Sequence, residues 1–267
     1  MSTYTVHPIR CGTLDLPKSG LTYLLDEGQT VRSPVVVLLL LPDDPEDDWV
    51  GVVDAGAAEG ELAGRNIPDG GPDPIREGLA EQGVEPADVD HLILTHLHHD
   101  HAANVELFPD AEVLIQRAEL AAARDPLPYM ERVYIDDQLA AVERADTTVV
   151  DGGFRLRPGI ELRLSPGHTE GMQSVVVDTA DGPHALVCDL VYCRQNLDPS
   201  LTEIRDVDGR TIEVEPADYD ANYVPPGLHV DVQACYDSFE RMRERVGPEG
   251  TIVAGHDPAV LGEPFPR

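Results

Sequence analysis

The sequence predicts a layered α/β protein with mixed β-sheets, and three observations support this fold class. Short apolar runs bounded by turn residues recur along the chain, which is typical of buried strands. Amphipathic stretches with helical spacing lie between some of them. Strands and helices alternate irregularly through two successive halves, which disfavours a simple parallel sheet. The predicted strands are residues 35–41, 49–56, 91–96, 111–116, 161–167, 174–179, 184–190 and 251–256.

Capping and turn residues indicate the helices and one hairpin. The predicted helices are residues 73–83, 117–124 and 233–247. The first of them, DPIREGLAEQG, has a proline just inside its start and a glycine at its end. The stretch TEIRDVDGRTIEVE at 202–215 predicts a hairpin on an Asp-Gly turn. Because an amphipathic helix resumes later, we interpret 202–227 as an insertion within one domain that spans residues 1–267.

The charge of the chain limits its partners. Fifty acidic residues face nineteen basic ones, the formal net charge is −31, and Lys18 is the only lysine. Such a field repels nucleic acid and anionic membrane surfaces, so neither is expected as a partner. We interpret the acidity as adaptation to a high-salt cytoplasm, and the alternative is a merely acidic cytosolic protein.

Nothing in the sequence predicts export or a membrane span. The amino terminus lacks a basic segment followed by an apolar one, so it does not resemble a signal peptide. The longest apolar run, residues 35–41, is too short to cross a bilayer. The four cysteines show no metal-finger spacing, which favours free thiols in a reducing compartment and a cytoplasmic location. They are Cys11, Cys188, Cys193 and Cys235.

The stretch THLHHDH at 95–101 concentrates titratable side chains at the end of a predicted strand. His96 and His98 are two positions apart, so in an extended segment they point the same way. Asp100 and His101 follow in a predicted turn and can face a second point, so the cluster predicts two metals. His99 is expected to point away, toward the pocket wall or the surface. The remaining histidines considered, His7, His91, His184 and His229, are interpreted as solvated loop residues.

Other strand ends supply further candidate ligands. His168 follows a strand and a Pro-Gly turn, and Asp189 and His256 each end an apolar strand. Each is a weak signal alone. Their repeated position at strand ends, where ligands gather in α/β folds, makes the three together candidate metal ligands.

The motif THLHHDH matches the HxHxDH motif of the metallo-β-lactamase superfamily. His168, Asp189 and His256 follow in that family's order, and VVDAG at 52–56, with Asp54, resembles its first motif. The resemblance covers nearly the whole chain. It implies an αββα four-layer sandwich of two mixed sheets flanked by helices, with the metals in a cleft at one edge of the sheets.

Within that superfamily the chain resembles the N-acyl-homoserine lactonase family. Tyr192, three positions after Asp189, matches a tyrosine that those lactonases place against the substrate carbonyl. An ordinary packed aromatic is the alternative for Tyr192. The insertion at 202–227 departs from the shorter lactonases, which leaves the acyl-chain preference open.

The resemblance implies how the ligands are divided between two divalent metals. One metal is held by His96, His98 and His168, and the other is held by Asp100, His101 and His256. Asp189 bridges the two metals. Nitrogen and oxygen ligands suit Zn²⁺, the favoured default, but also Mn²⁺, Fe²⁺ or Co²⁺. No cysteine is expected as a ligand.

The implied reaction is the hydrolytic opening of a lactone ring. Water shared between two metals loses a proton near neutral pH and attacks the ester carbonyl. Tyr192 donates to the developing oxyanion and Asp100 shuttles the proton. Asp54 and Thr95 orient the ligands, with an ordinary core role as the alternative for both. The expected substrate is a small lactone or ester, above all an N-acyl-homoserine lactone, and a homodimer is left open.

Two other reactions fit the same motif. A glyoxalase-II-like enzyme would hydrolyse a thioester, although the arginines of ERMRERVG at 240–247 form no clear glutathione motif. A mononuclear iron persulfide dioxygenase would leave His101 and His256 idle. A nucleic-acid-processing enzyme is disfavoured by the net charge of −31, and a purely structural metal site is disfavoured by the open water position.

Overall fold

The computed structural model describes residues 2–262, 264 and 265 and contains two large β-sheets. Residues 1, 263, 266 and 267, which belong to the domain predicted from the sequence, lie outside the described residues. The strands are β1 Tyr4–Pro17, β2 Thr30–Pro42, β3 Gly51–Val53, β4 Gly60–Leu62, β5 Arg65–Ile67, β6 His91–Ile93, β7 Glu112–Gln116, β8 Thr147–Val150, β9 Phe154–Arg157, β10 Ile160–Leu164, β11 Gln173–Thr179, β12 Gly182–Cys188, β13 Glu203–Arg205, β14 Thr211–Glu213 and β15 Thr251–Ala254. The helices are α1 Lys18–Leu21, α2 Pro72–Glu81, α3 Arg117–Arg124, α4 Asp136–Arg144, α5 Arg194–Leu197 and α6 Val232–Val246.

Both large sheets are mixed, as the sequence predicted. The first has the order β1-β2-β3-β6-β7-β8, in which β1, β2 and β3 pair antiparallel and the last four strands run parallel. The second has the order β15-β12-β11-β10-β9, with a parallel pair of β12 and β15 at one side. Consequently β3 and β6 run in the same direction in the first sheet, and β10, β12 and β15 run in the same direction in the second.

Strand β2 shows how the sequence builds two cores. Val35, Val37 and Leu39 belong to the core that includes buried residues of α2, α3 and α4. Val36 and Leu40 belong to the core shared with the second sheet and with α6. Because successive side chains of a strand point to opposite faces, a continuous apolar run is what a strand buried on both faces requires. The predicted αββα sandwich is confirmed.

The predicted strands and helices are confirmed, although several strands end earlier than predicted, among them those predicted at 161–167 and 251–256, which end at Leu164 and Ala254. The strand predicted at 49–56 covers Gly51–Val53, and that at 91–96 covers His91–Ile93, because the residues after them turn into the functional loops. Strand β1 was missed, since Pro8 and Gly12 interrupt its pattern, and its register shifts between Arg10 and Thr13. In the described part of the chain, no helix is long and apolar enough to cross a membrane.

The region at 202–227 contains the predicted hairpin. Strands β13 and β14 pair antiparallel around Asp208-Gly209, where Gly209 has a φ of 78°. Asp206 Oδ1 accepts hydrogen bonds from the backbone N–H groups of Asp208 and Arg210 and closes the turn. That the region is an insertion within one domain stays a prediction.

Lys18 ties this region to the body of the protein. Its Nζ donates to Thr22 Oγ1 at 2.5 Å and Gln195 Oε1 at 2.6 Å, and it lies 3.3 Å from Asp26 Oδ2. Asp26 Oδ1 accepts from the backbone N–H of Glu215, whose carbonyl accepts from Gln195 Nε2, both at 2.8 Å. One buried lysine therefore links the segment after β1, helix α5 and the chain beyond β14.

Candidate metal centre

The candidate metal ligands meet where five strands end at one edge of the sandwich. Asp54 follows β3, the THLHHDH segment follows β6, and His168, Asp189 and His256 follow β10, β12 and β15. The structure therefore brings together all seven ligands named from the sequence, although their role as ligands stays a prediction. They are buried, with Asp100 the most accessible at 8 % exposure.

The seven side chains form two groups around Asp189. The three-histidine group is His96, His98 and His168, and the aspartate group is Asp100, His101 and His256. In each group the potential ligand atoms lie within 4.8 Å of one another, and those of Asp189 lie as close to the three-histidine group.

The two carboxylate oxygens of Asp189 face different groups. Oδ2 lies 3.7 Å from His96 Nε2 and 3.3 Å from His168 Nε2. Oδ1 lies 3.4 Å from His101 Nε2 and 3.0 Å from His256 Nε2. This is the arrangement that a carboxylate shared between two cations requires.

Hydrogen bonds on the far side of the rings fix which nitrogen faces the centre. His101 Nδ1 lies 2.9 Å from Asp54 Oδ2, His168 Nδ1 lies 2.7 Å from the carbonyl of Leu228, and His256 Nδ1 lies 2.8 Å from that of Pro34. Each Nδ1 must donate to these acceptors, so each Nε2 keeps a free lone pair directed at the centre.

His96 is held through an intermediary. Its Nδ1 lies 3.1 Å from Thr95 Oγ1, and that hydroxyl donates to Asp54 Oδ2 at 2.9 Å. The backbone N–H of Thr95 donates to Asp54 Oδ1 at 2.7 Å. Asp54 thus contacts His101 of the aspartate group directly and reaches His96 of the three-histidine group through Thr95.

The arrangement fits bound cations. The Nε2 atoms of His96, His101 and His256 are buried and have no hydrogen-bond partner, a costly state for a polar atom unless a cation satisfies it. Burial lowers the pKa of His96 and His98, which keeps these rings neutral near pH 7. An all-nitrogen and oxygen donor set suits Zn²⁺, Mn²⁺, Fe²⁺ or Co²⁺.

The carboxylates of the centre are ionised. Burial alone would raise their pKa values, but His101, His99 and His256 hold the pKa of Asp100 at about 2. His101 and His256 likewise hold the pKa of Asp189 well below its usual range. Although burial alone would lower them, the surrounding anionic groups raise the pKa values of His101 and His256, so these two imidazoles lose a proton when they bind metal.

Cys188 was not expected to be a ligand, and the structure places its thiol among the ligand-type side chains. Its Sγ lies 3.4 Å from both Asp54 Oδ2 and His101 Nδ1, and it forms a third compact group with His96 and His101. Burial raises the pKa of the Cys188 thiol, so it is protonated and acts as a donor to Asp54. Both Cys188 (φ 46°) and Asp54 (φ 65°) have left-handed backbone conformations, which non-glycine residues adopt only at a cost.

Tyr192 lies against both groups. Its ring stacks on His256, with centroids 5.1 Å apart, and meets the edge of His168 at 5.8 Å. Burial and the charge of Asp189 raise the pKa of its hydroxyl well above the usual value. The phenol therefore remains protonated at neutral pH and is available as a hydrogen-bond donor.

The other histidines agree only in part with the sequence predictions. His99 belongs to none of the three compact groups and is buried, with its Nδ1 3.9 Å from Asp100 Oδ1, so of the two expected directions its burial fits the pocket wall and not the surface. His184 is buried in β12 and stacks on Phe265. His7 and His91 lie in β1 and β6 rather than in loops: β1 was not predicted, and His91 is the first residue of the strand predicted at 91–96.

Glu119 was missed by the sequence analysis. It lies in α3 with 0 % exposure and accepts hydrogen bonds from the backbone N–H of Leu97, from Tyr134 and from Thr169. An acidic residue in the first turn of a helix is an ordinary feature, so no local signal marked it.

Comparisons with known proteins agree with this geometry. The family model of the metallo-beta-lactamase superfamily matches residues 32–256. An N-acyl homoserine lactonase from a Bacillus species is 28 % identical over 246 residues, which cover 91 % of this chain and 82 % of that protein.

Two solved structures show the same fold. An N-acyl homoserine lactone hydrolase with the product N-hexanoyl-L-homoserine bound at its catalytic metal centre has a TM-score of 0.74 and 24 % identity, covering 96 % of this chain and 94 % of that chain. AidC, a dizinc quorum-quenching lactonase in complex with its product, has a TM-score of 0.68 and 13 % identity, covering 95 % and 87 %.

Proposed function

The chain belongs to the metallo-β-lactamase superfamily, and we propose that it is a dinuclear metal-dependent hydrolase that opens the ring of an N-acyl homoserine lactone or a related lactone. The observation that carries the proposal is the position of Asp189, whose two oxygens face two separate sets of ligand-type atoms. The similarity to N-acyl homoserine lactonases over 91 % of the chain supports the substrate class.

The residues that would hold the metals are the three-histidine group for one ion and the aspartate group for the other, with Asp189 shared. When bound, such cations polarise a carbonyl and lower the pKa of water, which makes a nucleophile available near neutral pH. The imidazoles of the three-histidine group, whose pKa values burial lowers, are ready to bind a metal without losing protons, whereas His101 and His256, whose pKa values the surrounding anionic groups raise, release a proton on binding.

The other polar groups of the site act on the substrate. The Tyr192 hydroxyl remains protonated and donates a hydrogen bond to the carbonyl oxygen as negative charge develops there. Asp100 is the most accessible carboxylate of the site, so its free oxygen accepts the proton released from water and passes it to the leaving alkoxide. The product is the ring-opened hydroxy acid.

Two alternatives use the same scaffold. A glyoxalase-II-like thioesterase would need the same metal centre, so only an assay of its substrates distinguishes it from a lactonase. A mononuclear iron persulfide dioxygenase would leave the complete aspartate group without a role, whereas the structure directs Nε2 of both its histidines at Asp189.

Zinc is the metal we propose as the default among the ions that nitrogen and oxygen donors suit, and the structurally similar AidC is a dizinc lactonase. We also propose that the enzyme works in a high-salt cytoplasm, a proposal supported by the net charge of −31 and by four free cysteines. The only partner we propose is a small-molecule substrate, and we propose binding to neither nucleic acid nor a membrane. A homodimer is a prediction that sedimentation of the metal-replete protein would test.

A substrate panel with metal analysis of the same sample tests the function. Lactones of varied acyl length, a thioester and a persulfide are assayed side by side with the wild type and with His168→Ala as the matched control. We expect hydrolysis of lactones, about two metal equivalents per chain, and loss of activity in the control. Thioester hydrolysis without lactone hydrolysis, or full activity with one metal, would overturn the proposal.

A further inference from the structure

Glu119 is a fully buried carboxylate that the proposed reaction does not use. Its Oε1 accepts hydrogen bonds from the backbone N–H of Leu97 at 2.9 Å and from the Tyr134 hydroxyl at 3.1 Å. Its Oε2 accepts from Thr169 Oγ1 at 2.5 Å. All three donors are neutral, and no cationic side chain of the described residues pairs with Glu119. A charge buried at this cost is retained only where its hydrogen bonds hold something in place.

Two of the donors adjoin the three-histidine group along the chain. Leu97 separates the first two histidines of THLHHDH, and Thr169 directly follows His168. Glu119 therefore joins two loops that come from different sheets, one after β6 and one after β10. The start of α3 lies directly against the second loop, since a Cβ added to Gly171 would come within 1.9 Å of the backbone nitrogen of Glu119.

The third donor acts on His98. The Tyr134 ring packs at an angle of 69° against the His98 ring, with centroids 4.9 Å apart, and the two residues form a backbone bridge. His98 Nδ1 lies 3.0 Å from His168 Nε2, and its buried Nε2 has no hydrogen-bond partner. Unlike the other ligand-type histidines, it is held by packing, and Glu119 holds the residue that packs against it.

Glu119 has no such contacts with the aspartate group. That group is held by Asp54, which contacts His101 directly and also reaches His96 through Thr95. We propose that Glu119 is a positioning residue that orients the three-histidine group for its metal and leaves the metal affinity of the aspartate group unaffected. This inference rests on the dinuclear centre of the proposed function.

Metal affinity in two single-site backgrounds tests the proposal. His256→Ala leaves the three-histidine group complete, and His168→Ala leaves the aspartate group complete. Glu119→Gln is added to each, and the Kd for Zn²⁺ is measured by competition with a chelator. Glutamine removes the negative charge to which all three groups donate and replaces one acceptor oxygen with an N–H group, so we expect about 10–100-fold weaker binding in the His256→Ala background. In the His168→Ala background we expect a change of less than about twofold.

Glu170→Gln is the matched control, because it removes an exposed carboxylate from the residue beside Thr169. We expect no change in either background. Equal weakening in both backgrounds would show that Glu119 only supports the fold, and unchanged affinity in both would overturn the proposal.

Two milder variants keep the proposal testable if Glu119→Gln does not fold, as judged by its melting curve. Thr169→Val and Tyr134→Phe each remove one hydrogen bond to Glu119, and each should weaken zinc binding only in the His256→Ala background. Their failure to do so would overturn the proposal. A wild-type protein that binds fewer than two equivalents refutes the proposed dinuclear centre instead, whatever Glu119 does.

Discussion

Lys18→Met removes the only lysine of the chain and leaves a carboxylate buried without a counter-ion. The side chains of Lys18 and Asp26 are both 0 % exposed, and their charged atoms lie 3.3 Å apart. Asp26 Oδ2 accepts no hydrogen bond, so after the substitution it has neither a partner nor water. Methionine is unbranched and of similar length, so the change removes the charge while keeping most of the packing.

The expected loss follows from the burial of the pair. Removing one partner of a buried ion pair costs about 3–5 kcal/mol of unfolding free energy, because the other charge stays uncompensated. Unfolding entropy of about 2.1 cal/mol/K per residue gives about 0.56 kcal/mol/K for 267 residues. The melting temperature should therefore fall by about 5–9 °C.

Thermal melting of metal-replete protein at one salt concentration measures this loss. Adding Asp26→Asn to Lys18→Met should restore at least half of it, since asparagine removes the stranded charge and keeps an acceptor for the backbone N–H of Glu215. Arg32→Met is the control, because its pairs with Asp15 and Asp208 are partly exposed and such pairs contribute about 0–1 kcal/mol. If Lys18→Met melts within about 2 °C of wild type, the buried pair does not hold this region.

Three further outcomes are expected. Asp189→Ala should lose both metals and all activity by elemental analysis and assay, and retention of both ions would show that Asp189 does not bridge them. Tyr192→Phe should keep both metals and lose about 10²–10³-fold in turnover on the best lactone, whereas an unchanged turnover would show that Tyr192 only lines the pocket. Raising salt from 0.05 M to 2 M should raise the melting temperature of metal-replete wild type, because screening shortens the Debye length to about 3 Å near 1 M. Equal melting temperatures at both salts would contradict the high-salt interpretation.

The sequence predicted those parts of the fold that depend on local pattern. The run of apolar residues at 35–41 became β2, buried on both faces. The crowding of histidines after β6 marked the site, because so many imidazoles at one strand end have no role in packing. His168, Asp189 and His256 were found since each ends a recognisable strand.

Residues whose role depends on distant partners could not be found in this way. Glu119 accepts hydrogen bonds from Leu97 and Thr169, the second of which is 50 residues away. Lys18 meets Gln195 across 177 residues. Neither position differs locally from a solvated charge on a helix, so only the folded arrangement shows that both are buried.

The two left-handed residues behind His101 set stability against function. Asp54 and Cys188 each carry backbone strain of about 1–3 kcal/mol, and their side chains meet at the nitrogen that fixes the ring of His101. Glycine in place of Cys188 would relieve that strain and remove the thiol that contacts His101, whereas glycine in place of Asp54 would also leave the buried donors of Thr95 without an acceptor. A laboratory search for heat-resistant variants that did not also demand activity would therefore select Cys188→Gly. The enzyme it produced would survive heating and would hold its histidine loosely.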